Sequence, residues 1–390
     1  MRGILLLSFL LIHLFVFAQN SETNYLLVKS TGKLPSLLYG FGDDRLGGTK
    51  MGYIDSNILL RVVDSTKELY TVQLSKFHSA FIEKTYIRHD SVFTSKPFYL
   101  TGSFLVKGDS LYDYVSMHLD EHLPYKSWME IEPSKIIVDL YGVQANTNWI
   151  TQLQSVKEIK NVYYNQVEDD VVRVTIELKH AQHWGYSLSY VGKNLVLRVK
   201  RQPAILDLKK MVIAIDAGHG GNNSGTDGIK RKTSEKEYTL LYAKSLEKNL
   251  KKLGVKKVIM TRTTDTSFDN KDRILFLQEQ NPDFLISLHF NSSANEMVSG
   301  VSTYYKHIGF RPLSQALLKR MLELKLSEFG NVGNFNFTLN QPTDFPNALL
   351  EIAFLSNADD EKKVIDTKFR QEVSLKVILA IQDWLKQLHN

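Results

Sequence analysis

The sequence predicts an α/β domain, a mostly parallel sheet flanked by helices, preceded by two small β-rich domains. Three observations carry this. From about residue 208, short apolar runs alternate with helix-periodic stretches, the pattern of strand–helix–strand units. Before that point, short runs rich in β-branched and aromatic residues succeed one another between turn residues. Third, several C-terminal segments present a single histidine or glutamate at the end or inside of an apolar run, where open α/β sheets gather their chemistry. The implied units are a leader at 1–18, β-rich domains at 22–92 and 95–201, and the α/β domain at 208–390. A chain of 390 residues suits two or three domains.

The leader reads as a secretory signal. Arg2 precedes an apolar run from Ile4 to Phe17, and Val16 and Ala18 are the small residues before polar Gln19-Asn20-Ser21. The run is short for a membrane span and His13 interrupts it, so export with cleavage is expected. In the first β-rich unit the expected strands are Ile58–Val63, Leu69–Leu74 and Ala80–Ile87, spaced as in a small barrel. In the second they are Lys135–Tyr141, Val171–Leu178 and the stretch from Tyr186 to Val199. The alternation Arg173-Val174-Thr175-Ile176-Glu177-Leu178 gives a sheet with one wet face. Residues 202–208 read as a linker punctuated by Pro203.

In the α/β unit, Met211–Ile215 is the first strand. Ser234 with Glu237 three residues on is a capping-box signature, opening a helix that Gly254 stops. Lys257–Met260 and Phe284–Leu288 are strands on either side of a helix over 269–280. Gly300–Tyr305 is a further strand, Pro312–Phe329 a helix, Ala348–Ala353 a strand and Phe369–Leu388 the closing amphipathic helix.

Composition bounds the chemistry. With 43% hydrophobic and 23% charged residues the chain is globular. It has no cysteine, which excludes disulfides, thiol catalysis, cysteine metal ligands and lipid attachment at cysteine. Any metal site must use His, Asp and Glu. A net charge of +6 suits an anionic polymer surface, and without a basic stripe interleaved with aromatics no nucleic-acid partner is expected.

A hydrolytic zinc site needs three protein ligands and an open position. His219 follows Ile213-Ala214-Ile215-Asp216-Ala217-Gly218, His289 follows Leu285-Ile286-Ser287-Leu288, and Glu235 opens a helix whose N-terminus suits its charge. Two neutral imidazoles and one carboxylate leave a positive centre that acidifies bound water and polarises a carbonyl. Glu351 is a lone carboxylate in the apolar run Leu349-Leu350-Glu351-Ile352-Ala353-Phe354. Such burial is costly unless the group is paired or functional, and beside a cation it would serve as general base and then general acid. Each residue alone has a plain reading: a loop cap, a carbonyl partner, a helix-dipole complement, a salt bridge from Glu351 to Arg262 or Arg273. Together they point to a metallohydrolase with a dispersed site, not an HExxH enzyme.

The segment from about Lys209 to Leu388 resembles the zinc-dependent N-acetylmuramoyl-L-alanine amidases of the type-three group. The resemblance is carried by Ile215–Gly221, Ser234–Leu240, Thr261-Arg262-Thr263-Thr264-Asp265, Ile286–Asn291 and Leu350–Asn357, in the family's order. It implies one zinc ion on His219, Glu235 and His289, a catalytic Glu351, and cleavage of the amide between the lactyl group of N-acetylmuramic acid and L-alanine. Asp216 is either a partner of a ligand histidine or a turn residue, and Asn291 either touches substrate or caps a loop. Arg262, Asp265 and Arg273 are expected to tie loops to the sheet. Residues 95–201 resemble the AMIN domain, and the first unit resembles the Src-homology-three-like wall modules. The expected partners are peptidoglycan and a divisome or activator protein, with no stable membrane span after signal cleavage. The expected location is the periplasm or cell envelope. A catalytically inactive wall-binding scaffold and a zinc peptidase acting within stem peptides are the alternatives. Ala353 stands where the family often has glycine, and Asn334-Phe335-Asn336-Phe337 replaces a more basic stretch. The short interval between His289 and Glu351 leaves little room for an autoinhibitory helical insert, so an open site is expected.

Overall fold

The structure is a computed structural model that describes residues 25–40, 49–89, 96, 98–231 and 233–388. The expected leader lies outside the described residues.

The first unit is one row of seven strands, with Lys50–Tyr53 and Ile87–His89 at its two edges. Its expected run Ala80–Ile87 is broken. Strand Ser79–Glu83 stops at a 3-10 turn, Lys84–Tyr86, and the chain re-emerges as Ile87–His89 against Leu26–Ser30. The Tyr86 carbonyl accepts from the Thr31 amide at 2.8 Å, which holds the turn where a straight strand would overshoot.

The second unit packs two sheets face to face. One contains Tyr125–Ile131, Ser134–Tyr141, Val171–Leu178 and Ile159–Glu168. The other is built on Tyr99–Gly108, Tyr112–Leu119, Asn194–Lys200 and Tyr186–Val191. The alternation read from sequence holds: Val172, Val174 and Ile176 are fully buried, while Arg173 lies on the wet face and forks onto Asp139 at 2.7 and 2.9 Å. Val28, Leu60 and Val72 of the first unit join Val115, Val138 and Leu197 of the second in one apolar core.

The C-terminal unit is a six-stranded sheet. Its strands are β1 (Val212–Ala217), β2 (Lys257–Met260), β3 (Phe284–Asn291), β4 (Val301–Tyr304), β5 (Glu328–Val332) and β6 (Asn347–Phe354), in the order β2-β1-β3-β6-β4-β5. All neighbours are parallel except β4 and β6. Its helices are α1 (Glu235–Lys252), α2 (Asn270–Gln280), α3 (Arg311–Leu322), α4 (Ala358–Ile365) and α5 (Thr367–Gln387). β6 is buried along its whole length, as a central strand covered on both faces should be.

Two local expectations fail here. The helix expected over Pro312–Phe329 ends at Leu322. Lys325 then takes a left-handed φ of 56°, which a helix does not tolerate, and Glu328–Val332 pairs as the edge strand β5. The capping box does not form either. The Ser234 side chain caps nothing; its hydroxyl donates to the Ser224 carbonyl at 3.3 Å.

The units are docked. Leu34 and Tyr53 of the first unit pack onto Leu339, Phe345 and Leu277. Trp184 of the second unit lies 5.3 Å, ring to ring, from Trp384 on α5, whose indole N–H donates to Gln182.

Candidate metal centre

The parallel register brings the site together. β1 and β3 run side by side with Asp216 opposite Ser287, so the turn after β1 and the end of β3 open on the same edge. His289 stands opposite Glu351 in the β3–β6 pair. His219 takes φ 61°, a left-handed conformation that costs a non-glycine residue on the order of 1–2 kcal/mol. Glycines flank the centre where side chains would collide: a Cβ on Gly218 would overlap the His289 ring, and one on Gly225 would overlap Glu235.

Glu235 sits at the middle. One carboxylate oxygen lies 3.1 Å from Nε2 of His219, the other 3.0 Å from Nδ1 of His289. It also accepts backbone N–H groups from Thr226 at 2.9 Å and Phe290 at 3.0 Å. His219 Nδ1–H donates to Asn223 at 2.9 Å, which fixes the ring and leaves Nε2 facing the centre. The candidate donor atoms of His219, Glu235 and His289 all lie within 4.8 Å of one another.

Electrostatics sharpen the picture. Burial would raise the Glu235 pKa, but the two imidazoles hold its carboxyl well below the usual range. Burial would lower the His219 pKa, but Glu235 and Asn223 hold it above its ordinary value. Glu351 behaves oppositely. Burial first, then the Glu235 charge, pushes its carboxyl well above the usual range, and its Oε2 is buried with no hydrogen-bond partner. Neither Arg262 nor Arg273 pairs with it; both bind elsewhere. Two nitrogens and a carboxylate from three rigid segments, with one orphaned acid beside them, suit a borderline divalent cation.

The surrounding residues divide by contact. Asp216 touches neither histidine directly. It accepts from Thr261 at 2.7 Å, Ser287 at 2.6 Å and Arg273 at 2.8 Å, and burial is outweighed by Arg273 in holding its carboxyl below the ordinary range. Asn291 lines the cleft, with its side chain 3.4 Å from the Tyr304 hydroxyl. Arg262 donates to the carbonyls of Ala217 and Gly218, both at 2.9 Å, and Arg273 to those of Ala217 at 3.0 Å and His219 at 2.5 Å. Asp265 accepts from Gly221 and Lys236. Sequence reasoning missed Asn223 and Thr226; the signal was their place in the glycine-rich turn leading into α1. The centre opens into a cleft of about 970 Å³, walled opposite His289 by Phe335 and Phe337.

Fold and site together define a candidate single-metal hydrolase on an α/β sheet. Residues 213–383 match the N-acetylmuramoyl-L-alanine amidase family model, and residues 105–201, ahead of the hydrolase unit, match the AMIN domain. It is 24% identical over 361 residues to the N-acetylmuramoyl-L-alanine amidase AmiC of Escherichia coli, covering 70% of this chain and 86% of AmiC. It is 32% identical over 182 residues to the probable cell wall amidase LytH of Staphylococcus aureus, covering 46% of this chain and 58% of LytH. This chain thus spans little more than half the length of LytH. Among solved structures, the catalytic domain of the amidase CwlV from Bacillus (Paenibacillus) polymyxa var. colistinus is 32% identical, covering 45% of this chain and 98% of that domain, with a TM-score of 0.44.

Proposed function

We propose that this chain hydrolyses the amide between N-acetylmuramic acid and L-alanine of peptidoglycan, with zinc held by His219, Glu235 and His289 and with Glu351 as general base. The observation that carries the reading is the unpartnered Oε2 of Glu351, buried on the strand beside His289 at a His–Glu–His cluster. Zinc bound there would supply a positive centre that acidifies water and polarises the scissile carbonyl. Glu351 accepts the water proton at Oε2 and returns it to the leaving amine of L-alanine. The fixed positions of Glu235, bonded to two backbone amides, and of His219, bonded to Asn223, keep the centre open on the cleft side. The AMIN domain and the N-terminal unit hold the enzyme on the wall, which places its action outside the cytoplasm. No helix among the described residues is long and apolar enough to cross a membrane.

The test is digestion of purified peptidoglycan by the zinc-loaded chain, followed by identification of new amino termini. Free L-alanine termini, absent with chelator and with Glu351→Gln, support the reading. New termini at other residues would make it a peptidase. Intact wall after incubation with zinc-loaded protein would leave a scaffold.

A further inference from the structure

One short loop makes the cleft wall beside His289. Phe335 and Phe337 line the cleft, both half-buried. Their rings lie 4.7 Å apart, and each rests on the buried Tyr304, at 4.9 and 5.0 Å. The Phe337 ring is within 11° of parallel to the His289 ring, with centres 6.5 Å apart. Asn336, between the two phenylalanines, is buried away from the cleft. Its side-chain oxygen accepts from Gln341 at 2.7 Å and from the Lys50 amide at 3.4 Å. Leu339, two residues on from Phe337, packs with Leu34 and Tyr53. The N-terminal unit, which neither family match reaches, thus braces the loop that carries both rings.

The charges of the cleft decide what such a wall can hold. Of the described residues that line it, Arg273 alone is a lysine or arginine. Its guanidinium is committed to Asp216 and to the carbonyls of Phe268, Ala217 and His219. Asp269 and Glu351 add carboxylates to the lining. Away from the His–Glu–His centre, a group with free carboxylates therefore meets like charge and no cation. The remaining polar lining is amide and hydroxyl, from Asn222, Asn270, Asn291 and Ser267, beside aromatic carbon. Asparagine and serine both donate to and accept from hydroxyl and acetamido groups, and the C–H face of a sugar ring packs on an aromatic face.

We infer that Phe335 and Phe337 form the subsite for the sugar ring of N-acetylmuramic acid, and that Asn336 is the positioning residue that holds both rings against the N-terminal unit. This rests on the proposed amidase reading, which places the muramoyl group on one side of the scissile amide and the stem peptide, with its free carboxylates, on the other. The aromatic wall takes the uncharged side. Specificity for a glycan-bearing substrate over a bare lactoyl-peptide then resides in these two rings, and the N-terminal unit contributes to it through the loop it braces.

The experiment compares N-acetylmuramoyl-L-alanyl-D-isoglutamine with D-lactoyl-L-alanyl-D-isoglutamine on the zinc-loaded full chain. The two share the scissile amide and differ by the sugar ring. Wild type is expected to show a KM about tenfold lower for the muramoyl form. In Phe335→Ala/Phe337→Ala the two KM values converge. Should that variant lose its fold by thermal melting, Phe335→Leu/Phe337→Leu keeps the apolar bulk without the ring faces and carries the same comparison. Asn336→Ala should raise KM for the muramoyl form while kcat holds; an equal fall in kcat on both substrates would make Asn336 merely structural and overturn its role. A separate arm measures calorimetric binding of both compounds to Glu351→Gln and to its phenylalanine-substituted form, which requires no turnover. Equal affinity for the two compounds, or a preference that survives the phenylalanine substitutions, overturns the subsite. Failure of wild type to hydrolyse either compound would overturn the amidase reading instead, and the binding arm would still decide the subsite.

Discussion

Two neutral histidines sit where the β-rich units meet the hydrolase unit, and acid should break that junction. His183 donates Nε2–H to the Glu130 carbonyl at 2.8 Å, while its Nδ1 is buried without a partner. His307 donates to the Gln341 carbonyl at 2.8 Å. Burial pushes both down from 6.5 to about 4. A histidine whose folded pKa is depressed binds fewer protons folded than unfolded, so its contribution is complete above 6.5 and is lost as pH falls toward 4. From pH 7.5 to 5.0 that amounts to about 2 kcal/mol for each histidine, about 4 for the pair. Trp184 and Trp384, in tilted ring contact across the same junction, make fluorescence the probe of urea unfolding. Buried Asp55 and Asp344, whose pKa values burial raises, act in the opposite direction. The informative quantity is therefore the difference between wild type and His183→Gln/His307→Gln, in which glutamine keeps the donated hydrogen bond without titrating. The wild type should lose about 4 kcal/mol more than the double variant over this range. Equal losses would refute the reasoning.

Four further outcomes are expected. Glu351→Gln should lower kcat by roughly 10²–10⁴-fold while leaving zinc content unchanged, measured by turnover and metal analysis. Because the metal-free Glu351 pKa is raised, its stabilising share is present below the ordinary carboxylate range and lost as pH rises; metal-free Glu351→Gln should thus need more urea to unfold at pH 8 than metal-free wild type. Zinc affinity should fall from pH 8 to 5.5, with proton release on binding, since the metal-free His219 pKa is raised; a pH-independent affinity by chelator competition would contradict this. Gly218→Ala should weaken zinc at least about tenfold through the displaced His289 ring, and Arg273→Lys should do so by a similar factor through the freed His219 carbonyl, both read by chelator competition.

The parts of the site written in one-dimensional pattern were legible. Apolar runs ending at His219 and His289, and the carboxylate inside β6, needed only strand periodicity, and the parallel register then placed them together. What escaped was whatever depends on distant chain. The left-handed turn at Lys325 and the edge pairing of β5 cut short a stretch whose composition favours helix. Ser234 carries the right residue for a cap, yet its hydroxyl is claimed by Ser224 from the glycine-rich turn.

The two arginines below the His219–Glu235–His289 cluster explain how the strained turn at His219 persists. As the chain leaves β1 it makes the left-handed turn at His219, and the carbonyls of Ala217, Gly218 and His219 need donors outside their own strand. Arg262 and Arg273 supply them from one side, and Asp216 holds Arg273 against that turn. The Ala217 carbonyl alone receives both guanidinium groups. A planar fork can satisfy several carbonyls at once where an ammonium cannot, so the pattern Thr261-Arg262 and the buried Arg273 are required by backbone geometry. The strain at His219 is therefore maintained by a buried Asp–Arg pair one layer beneath the His219–Glu235–His289 cluster. Breaking that pair would leave an unpaired charge, at a cost of about 3–5 kcal/mol. The orientation of His219 is thus set by the protein's own hydrogen bonds.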